Sequence, residues 1–173
     1  MAIKVKVDLS GLKRVRQELF DRLAGEQTQR LIAYAPELLK KAYSESGFTD
    51  QTYNLADSYI WAVFYQGNLQ GSGYLYPYQM ATNNSKYHGK LTDGRKLADE
   101  FLANYTPATY IGWDLVLAAT VPYAPILEGG NTGNPRRRFE VLSTIYDDIK
   151  EDFAGKAFRW IYFTVAILSH RGV

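Results

Sequence analysis

Apolar and polar residues change their spacing several times along this chain, and each change marks an element. Near the start, Ile3, Val5 and Val7 alternate with Lys4, Lys6 and Asp8, the period of two that predicts a half-buried strand. From Ser10, a residue suited to an N-cap, the spacing becomes helical, with Leu12, Val15, Leu19 and Leu23 on one face. A second stripe, Leu31, Ala35, Leu38 and Ala42 flanked by Ile32 and Leu39, restarts the helical period beyond Gly25. Pro36 falls inside this stripe, where it either kinks a helix or sits in the first turn of a new one. Residues 10–45 therefore read as one long kinked helix or as two consecutive helices.

Residues 57–66 (DSYIWAVFYQ) are apolar, aromatic and β-branched without alternation, which predicts a strand covered on both faces or one at a packed interface. The stretch from Gly67 to Thr92 is rich in Gly, Asn, Ser and Tyr and reads as a loop or irregular hairpin. A short helix is expected over 94–104, with Leu97, Phe101 and Leu102 turned inward, and a second strand over 109–120. From Phe139 the helical period returns through Leu142, Ile145, Tyr146, Ile149 and Phe153, and a final strand is expected over 160–168. The order predicts an α+β fold: a mainly antiparallel sheet of about four strands, packed on one side by a long N-terminal helix and a C-terminal helix. Residues 1–173 form one domain in this reading, with an extended loop insertion at about 67–106.

Composition narrows the chemistry. With 173 residues the chain is long enough to bury a substantial core. Fourteen tyrosines supply apolar area with a polar tip, which suits a sheet surface or a subunit interface. A net charge of +2 argues against gripping nucleic acid over a wide surface. The chain has no cysteine, which excludes disulfides, thiolate catalysis and cysteine-based zinc sites. Its first ten residues lack the apolar run of a signal peptide. The longest C-terminal apolar run, 160–168, is about half the roughly 20 residues a membrane-spanning helix needs. The chain is expected to be soluble and intracellular.

His88 and His170, the only histidines, lack the oriented partner that general acid–base work requires. Asp147, Asp148, Glu151 and Asp152 form an acidic cluster, but they lie opposite the apolar face of their helix, and two-metal sites draw carboxylates from converging elements. GNLQGSG (67–73) and GGNTGNP (129–135) have neither the Lys-Ser/Thr ending of a P-loop nor the GxGxxG order of a dinucleotide site. Arg136, Arg137 and Arg138 place three cations at a helix start, against the helix dipole. That local conflict hints at a functional role, such as facing phosphate or an acidic neighbour. The residues by themselves predict no catalytic residue, no metal site and no cofactor.

Two short passages resemble a known family. Thr52-Tyr53-Asn54-Leu55-Ala56-Asp57-Ser58 is similar to the T-G-N-L-R-D-S segment of the tail-completion, or neck, proteins of long-tailed bacteriophages, a family that includes the lambda Z-type head–tail joining proteins. Tyr123-Ala124-Pro125-Ile126-Leu127-Glu128-Gly129 is similar to that family's Y-A-x-x-V-E-F-G. The order of elements agrees along nearly the whole chain. Tyr53 stands where the family has glycine, Ala56 where it often has arginine, and the stretch 67–106 is longer than the tight hairpin of compact members.

The resemblance implies a structural virion protein and no enzyme. Thr52, Asn54, Leu55, Asp57, Ser58, Tyr123, Ala124, Glu128 and Gly129 would be its family-motif structural residues. It implies a homo-hexameric ring in the virion neck, made in the host cytoplasm, that meets the head-side stopper or connector on one face. The tail terminator or tail tube would lie on the other, with DNA passing through as cargo, Arg136, Arg137 and Arg138 lining the channel or meeting a partner, and no membrane contact. Asn54 would make a side-chain turn before its strand, and Leu55 and Tyr123 would pack under the sheet. The alternatives are a tail terminator of similar fold, a monomeric ligand- or peptide-binding module using the tyrosine-rich 74–88 segment, and a metal-dependent nuclease using the acidic cluster.

Overall fold

The computed structural model describes residues 10–45, 54–77, 93–125 and 161–167, together with positions 141, 142, 145 and 149. Helix α1 spans Ser10–Glu45, strand β1 Tyr59–Tyr65, strand β2 Asn68–Tyr74 and helix α2 Gly94–Asn104. Strand β3 covers Trp113–Ala119 and strand β4 covers Ile161–Ile167. The fold is α+β, as the spacing predicts. The strand expected over Ile3–Val7 lies outside the described residues.

The four strands form one sheet in the order β2-β1-β3-β4. β1 runs antiparallel to β2 and to β3, and β3 runs parallel to β4. The sheet is therefore mixed, with antiparallel pairing in two of its three ladders. A parallel pair needs a long crossover, and positions 141, 142, 145 and 149 within it are helical and buried. β1 and β2 are joined at Gln66-Gly67, where both residues have positive φ (50° and 79°), as a primed two-residue hairpin turn requires. β3 starts later than the 109–120 run suggests. Thr109 Oγ1 accepts from the Ile111 N–H and donates to the Ile111 carbonyl, both at 2.9 Å, so a local turn competes with the ladder.

Both faces of the central pair are buried, which explains the unbroken apolar run of β1. Tyr59, Trp61 and Val63 join Leu115, Leu117 and Ala119 of β3 on one face. There they pack against Leu31, Ala35, Leu38, Leu39 and Ala42 of α1 and against Leu142, Ile145 and Ile149. The alternate residues Ile60, Ala62 and Phe64, with Val116 and Ala118, meet Ala98, Phe101 and Leu102 of α2. The long N-terminal helix and the helical positions 142, 145 and 149 thus share one side, as expected. α2 covers the second face, because a strand buried on both sides needs a layer on each.

Helix α1 is continuous through Pro36. Proline in a helix interior costs about 3 kcal/mol; here the burial of Ala35, Leu38 and Leu39 beside it offsets that cost. At 1.5 Å per residue its 36 residues extend about 54 Å, whereas a seven-residue strand spans about 23 Å. The helix must overhang the sheet, and it does so at its N-terminus, since its buried residues run from Ala24 to Ala42. The first apolar stripe is therefore not core. Leu12, Val15, Leu19 and Leu23 are 50% to 68% exposed. At 100° per residue their stripe is rotated by roughly 140° from the face that meets the sheet, so one helix cannot bury both against it. Ser10 lies inside the helix rather than capping it.

Two truncations on this helix separate the stripes. Leu39→Ala removes a side chain that is fully buried and is expected to cost about 2–5 kcal/mol. Leu19→Ala should stay within about 0.5 kcal/mol in the dissociated subunit. Urea unfolding midpoints with an unchanged slope measure both, and a Leu19 effect as large as that of Leu39 would mean the overhang folds back on the core.

Candidate functional site

The two motif segments meet in the fold. Residues 54–58 form a tight turn in which the Ser58 N–H and Ser58 Oγ both donate to the Leu55 carbonyl, at 2.9 and 2.7 Å. A 3₁₀ turn over Ala56–Ser58 then opens directly into the extended backbone of Tyr59. Leu55 is buried in the core under the sheet, and Tyr123 packs against the same cluster, as expected. Ala124 is buried beside them.

Asn54 is the hinge pin of this junction. Its Oδ1 accepts the Gly94 N–H at 2.9 Å, and its Nδ2 donates to Tyr123 Oη at 3.1 Å. A backbone N–H can only donate, so the atom facing Gly94 must be the oxygen, which leaves the amide nitrogen for the tyrosine. This one side chain ties three segments together. Gly94 opens α2, where the first N–H groups lack helical partners. Asn54 satisfies one of them, and the Asp93 side chain caps another through Lys96 N at 3.1 Å. A side chain on residue 94 would not fit: its Cβ would lie 2.1 Å from the Asn54 carbonyl oxygen.

Around this pin the polar groups interlock. Thr120 closes the other strand of the junction, its N–H and Oγ1 both donating to the Ser58 carbonyl at 3.3 and 3.1 Å. Asp57 is buried and pairs with Arg95 at 3.5 Å. The guanidinium lies 3.6 Å from the centre of the Tyr74 ring and donates to the Tyr76 carbonyl at 3.0 Å. The Tyr74 hydroxyl donates to Asp99. Burial, and then the neighbouring Asp99 carboxylate, hold the Tyr74 pKa above its ordinary value. The 67–106 insertion is thereby anchored: β2 is its first element, and α2 carries Gly94, Arg95 and Asp99.

A second buried polar node lies on the α2 face. Asp114 is fully buried in β3. Its Oδ2 accepts from Tyr105 Oη at 2.8 Å and from the Ala108 N–H at 2.7 Å, and its Oδ1 accepts from Thr164 Oγ1 at 3.0 Å. One carboxylate thus ties the end of α2, the following loop and β4 together, and three donors offset its desolvation. Burial pushes the Tyr105 pKa up to about 12, with the Asp114 charge adding to the rise and the Thr164 hydrogen bond opposing it.

Of the predicted site residues, the structure brings Asn54, Leu55, Asp57 and Ser58 together with Tyr123 and Ala124. Thr52, Glu128, Gly129, Arg136, Arg137 and Arg138 lie outside the described residues, as do His88, His170 and the acidic cluster Asp147, Asp148, Glu151 and Asp152. Sequence reasoning missed Gly94, Arg95, Asp114 and Thr120. The Asp93-Gly94 pair ahead of Leu97 and Phe101 was a legible helix start; a buried Asp inside a strand pattern gave no partner. Among the described residues no helix is long and apolar enough to cross a membrane. No family model matches the chain, and no curated protein or solved structure matches it either.

Both nodes generate predictions. Asn54→Ala strands the Gly94 N–H in the interior and should cost about 1–3 kcal/mol; Gly94→Ala forces the turn and α2 apart and should cost more. Chemical denaturation ranks the two, and an Asn54→Ala protein of unchanged stability would remove the pin. The Tyr105 pKa is raised on folding, so its contribution is complete below the unfolded value near 10 and is lost as pH climbs through about 12. Stability should fall over that window less steeply in Tyr105→Phe. Thermal unfolding as a function of pH, with tyrosinate absorbance followed in parallel, reads the difference.

Proposed function

We propose that this chain is a structural subunit of a phage neck. It assembles as a homo-hexameric ring that joins the capsid-side connector to the tail tube and lets DNA pass through the lumen. The observation that carries the reading is the contact between Asn54 and Tyr123. The two segments that resemble the tail-completion family lie far apart in sequence, yet their side chains share a hydrogen bond and one buried cluster. Strings alike by chance have no physical reason to meet. The role of the motif is then architectural: it sets the angle between the end of α1, the first strand and the loop that follows β3.

The described residues fit a part that works by shape. The side chains of the junction bond to one another, so what it offers is rigidity. Among the described strands β2 lies at the edge of the sheet, and a strand edge pairs readily with a neighbouring chain. In this reading the head-side stopper or connector meets one face of the ring, and the tail terminator or tail tube proteins meet the other. Virion and host cytoplasm are its two locations, and no cofactor or catalytic step takes part. A net charge of +2 suits a lumen through which DNA slides without being held.

Mass measured by light scattering over a wide concentration range, followed by negative-stain imaging at the top of it, tests the reading. Rings of uniform diameter with a central hole are expected. A protein that stays monomeric throughout would count against the ring and favour a ligand-binding domain.

A further inference from the structure

Among the described residues, exposed large apolar side chains are concentrated at one end. The Trp113 indole, at the start of β3, donates to Thr28 of α1 at 2.9 Å, and Tyr43 meets Tyr59, at the start of β1, edge-on. Helix α1 therefore runs from the hairpin end of the sheet toward the opposite end, and its first fourteen residues project beyond the hairpin. Large apolar side chains exposed among the described residues are Leu12, Val15, Leu19, Phe20 and Leu23 on this overhang, then Leu69, Tyr76, Tyr110, Ile111 and Tyr162. Leu69 pairs with Phe64 next to the hairpin turn, Tyr110 lies against Gly67 within it, and Tyr162 pairs beside Asp114 at the start of β3. All but Tyr76 lie at or beyond the one end.

We infer that the overhanging half of α1 is an assembly surface for a second copy of this chain, its apolar stripe seated on the Leu69–Tyr110–Ile111 patch of the neighbouring subunit. This rests on the ring reading and supplies its interface. Three observations choose the occupant. The stripe faces roughly 140° away from the sheet-packing face, so the subunit's own sheet cannot cover it. The four stripe side chains, each at least half exposed and leaving on the order of 100 Å² in water, present roughly 400 Å² of apolar surface. That is about half of the ~800 Å² per partner of a standard interface. The charges around the stripe are mixed: Lys13, Arg14, Arg16 and Arg22 against Glu18, Asp21 and Glu26 leave +1 (4 − 3) over residues 10–27, and Arg14–Glu18 and Arg22–Glu26 are already paired. Such a helix has no basic face for an anionic bilayer and no repulsion toward a copy of itself. Stripe on patch can pair reciprocally in a two-fold dimer or run head-to-tail. The ring reading requires the head-to-tail form, which leaves a free stripe and a free patch at each step until the ring closes.

Two variants and their mixture test this. Val15→Glu/Leu19→Glu charges the stripe, and Ile111→Asp charges the patch; these side chains are exposed, so circular dichroism and melting temperature should match the wild type. By light scattering each variant alone should be monomeric where the wild type assembles, with its apparent dissociation constant raised at least ~100-fold, since charges enter a desolvated contact. Asp21→Ala, on the back of the helix, should assemble as the wild type does. Mixed in equal amounts, the two variants should form dimers and nothing larger, because one keeps an intact patch and the other an intact stripe. If the mixture stays monomeric, head-to-tail seating is wrong. If the stripe variant assembles normally, the interface lies elsewhere while the ring reading stands. A wild type that is monomeric throughout overturns both. A monomeric wild type that pellets with vesicles of phosphatidylcholine and phosphatidylglycerol, in a manner abolished by Val15→Glu/Leu19→Glu, assigns the stripe to a bilayer instead.

Discussion

The antiparallel pairing of β1 with β3 is the constraint on which the other elements depend. Their register sets Trp61 opposite Leu117 and Val63 opposite Leu115 on one face, and Ala62 opposite Val116 on the other. Since both faces carry apolar side chains, the pair is stable only inside a sandwich, and this requirement recruits α1 and the helical positions 142, 145 and 149 to one side and α2 to the other. The parallel addition of β4 follows from the same demand, because the chain must cross over the sheet to cover it before returning to its edge.

Burying a sheet on both sides raises a second problem, which is where the backbone and polar side chains at its ends find partners. The two nodes answer it at opposite ends of the central strands. Asn54, Ser58 and Thr120 hold the end where β1 begins and β3 finishes. Asp114, with Tyr105 and Thr164, holds the end where β3 begins and β4 joins. Each uses one small polar side chain to satisfy donors from elements distant in sequence. In low dielectric such bonds are strong while complete and costly when broken, so they make the layers act as one body. A subunit of the proposed ring would need that stiffness.

Much of this fold was legible along the chain. The strand at β1 was visible because an unalternating run of Tyr, Ile, Trp, Val and Phe has no stable place except between two layers. α2 was visible in the spacing of Leu97, Phe101 and Leu102, and the long helix in its two stripes. The candidate site was half legible: the string containing Asn54 to Ser58 and that containing Tyr123-Ala124 stood out, but nothing local said that they touch. Gly94 and Asp114 stayed hidden for one reason. Their roles are hydrogen bonds to partners many residues away, and sequence spacing reports only neighbours within a turn or a strand.

Sequence alone determined which residues are apolar and with what period, and hence the kind and approximate extent of each element. Tertiary structure decided which apolar faces became core. Leu12, Val15, Leu19 and Leu23 look as core-like as Leu31, Ala35, Leu38 and Ala42 when counted by period. They differ only in phase around one uninterrupted helix and in lying beyond the end of a sheet less than half its length. Burial depends on where a second surface stands, and that surface is built by strands folded from elsewhere in the chain.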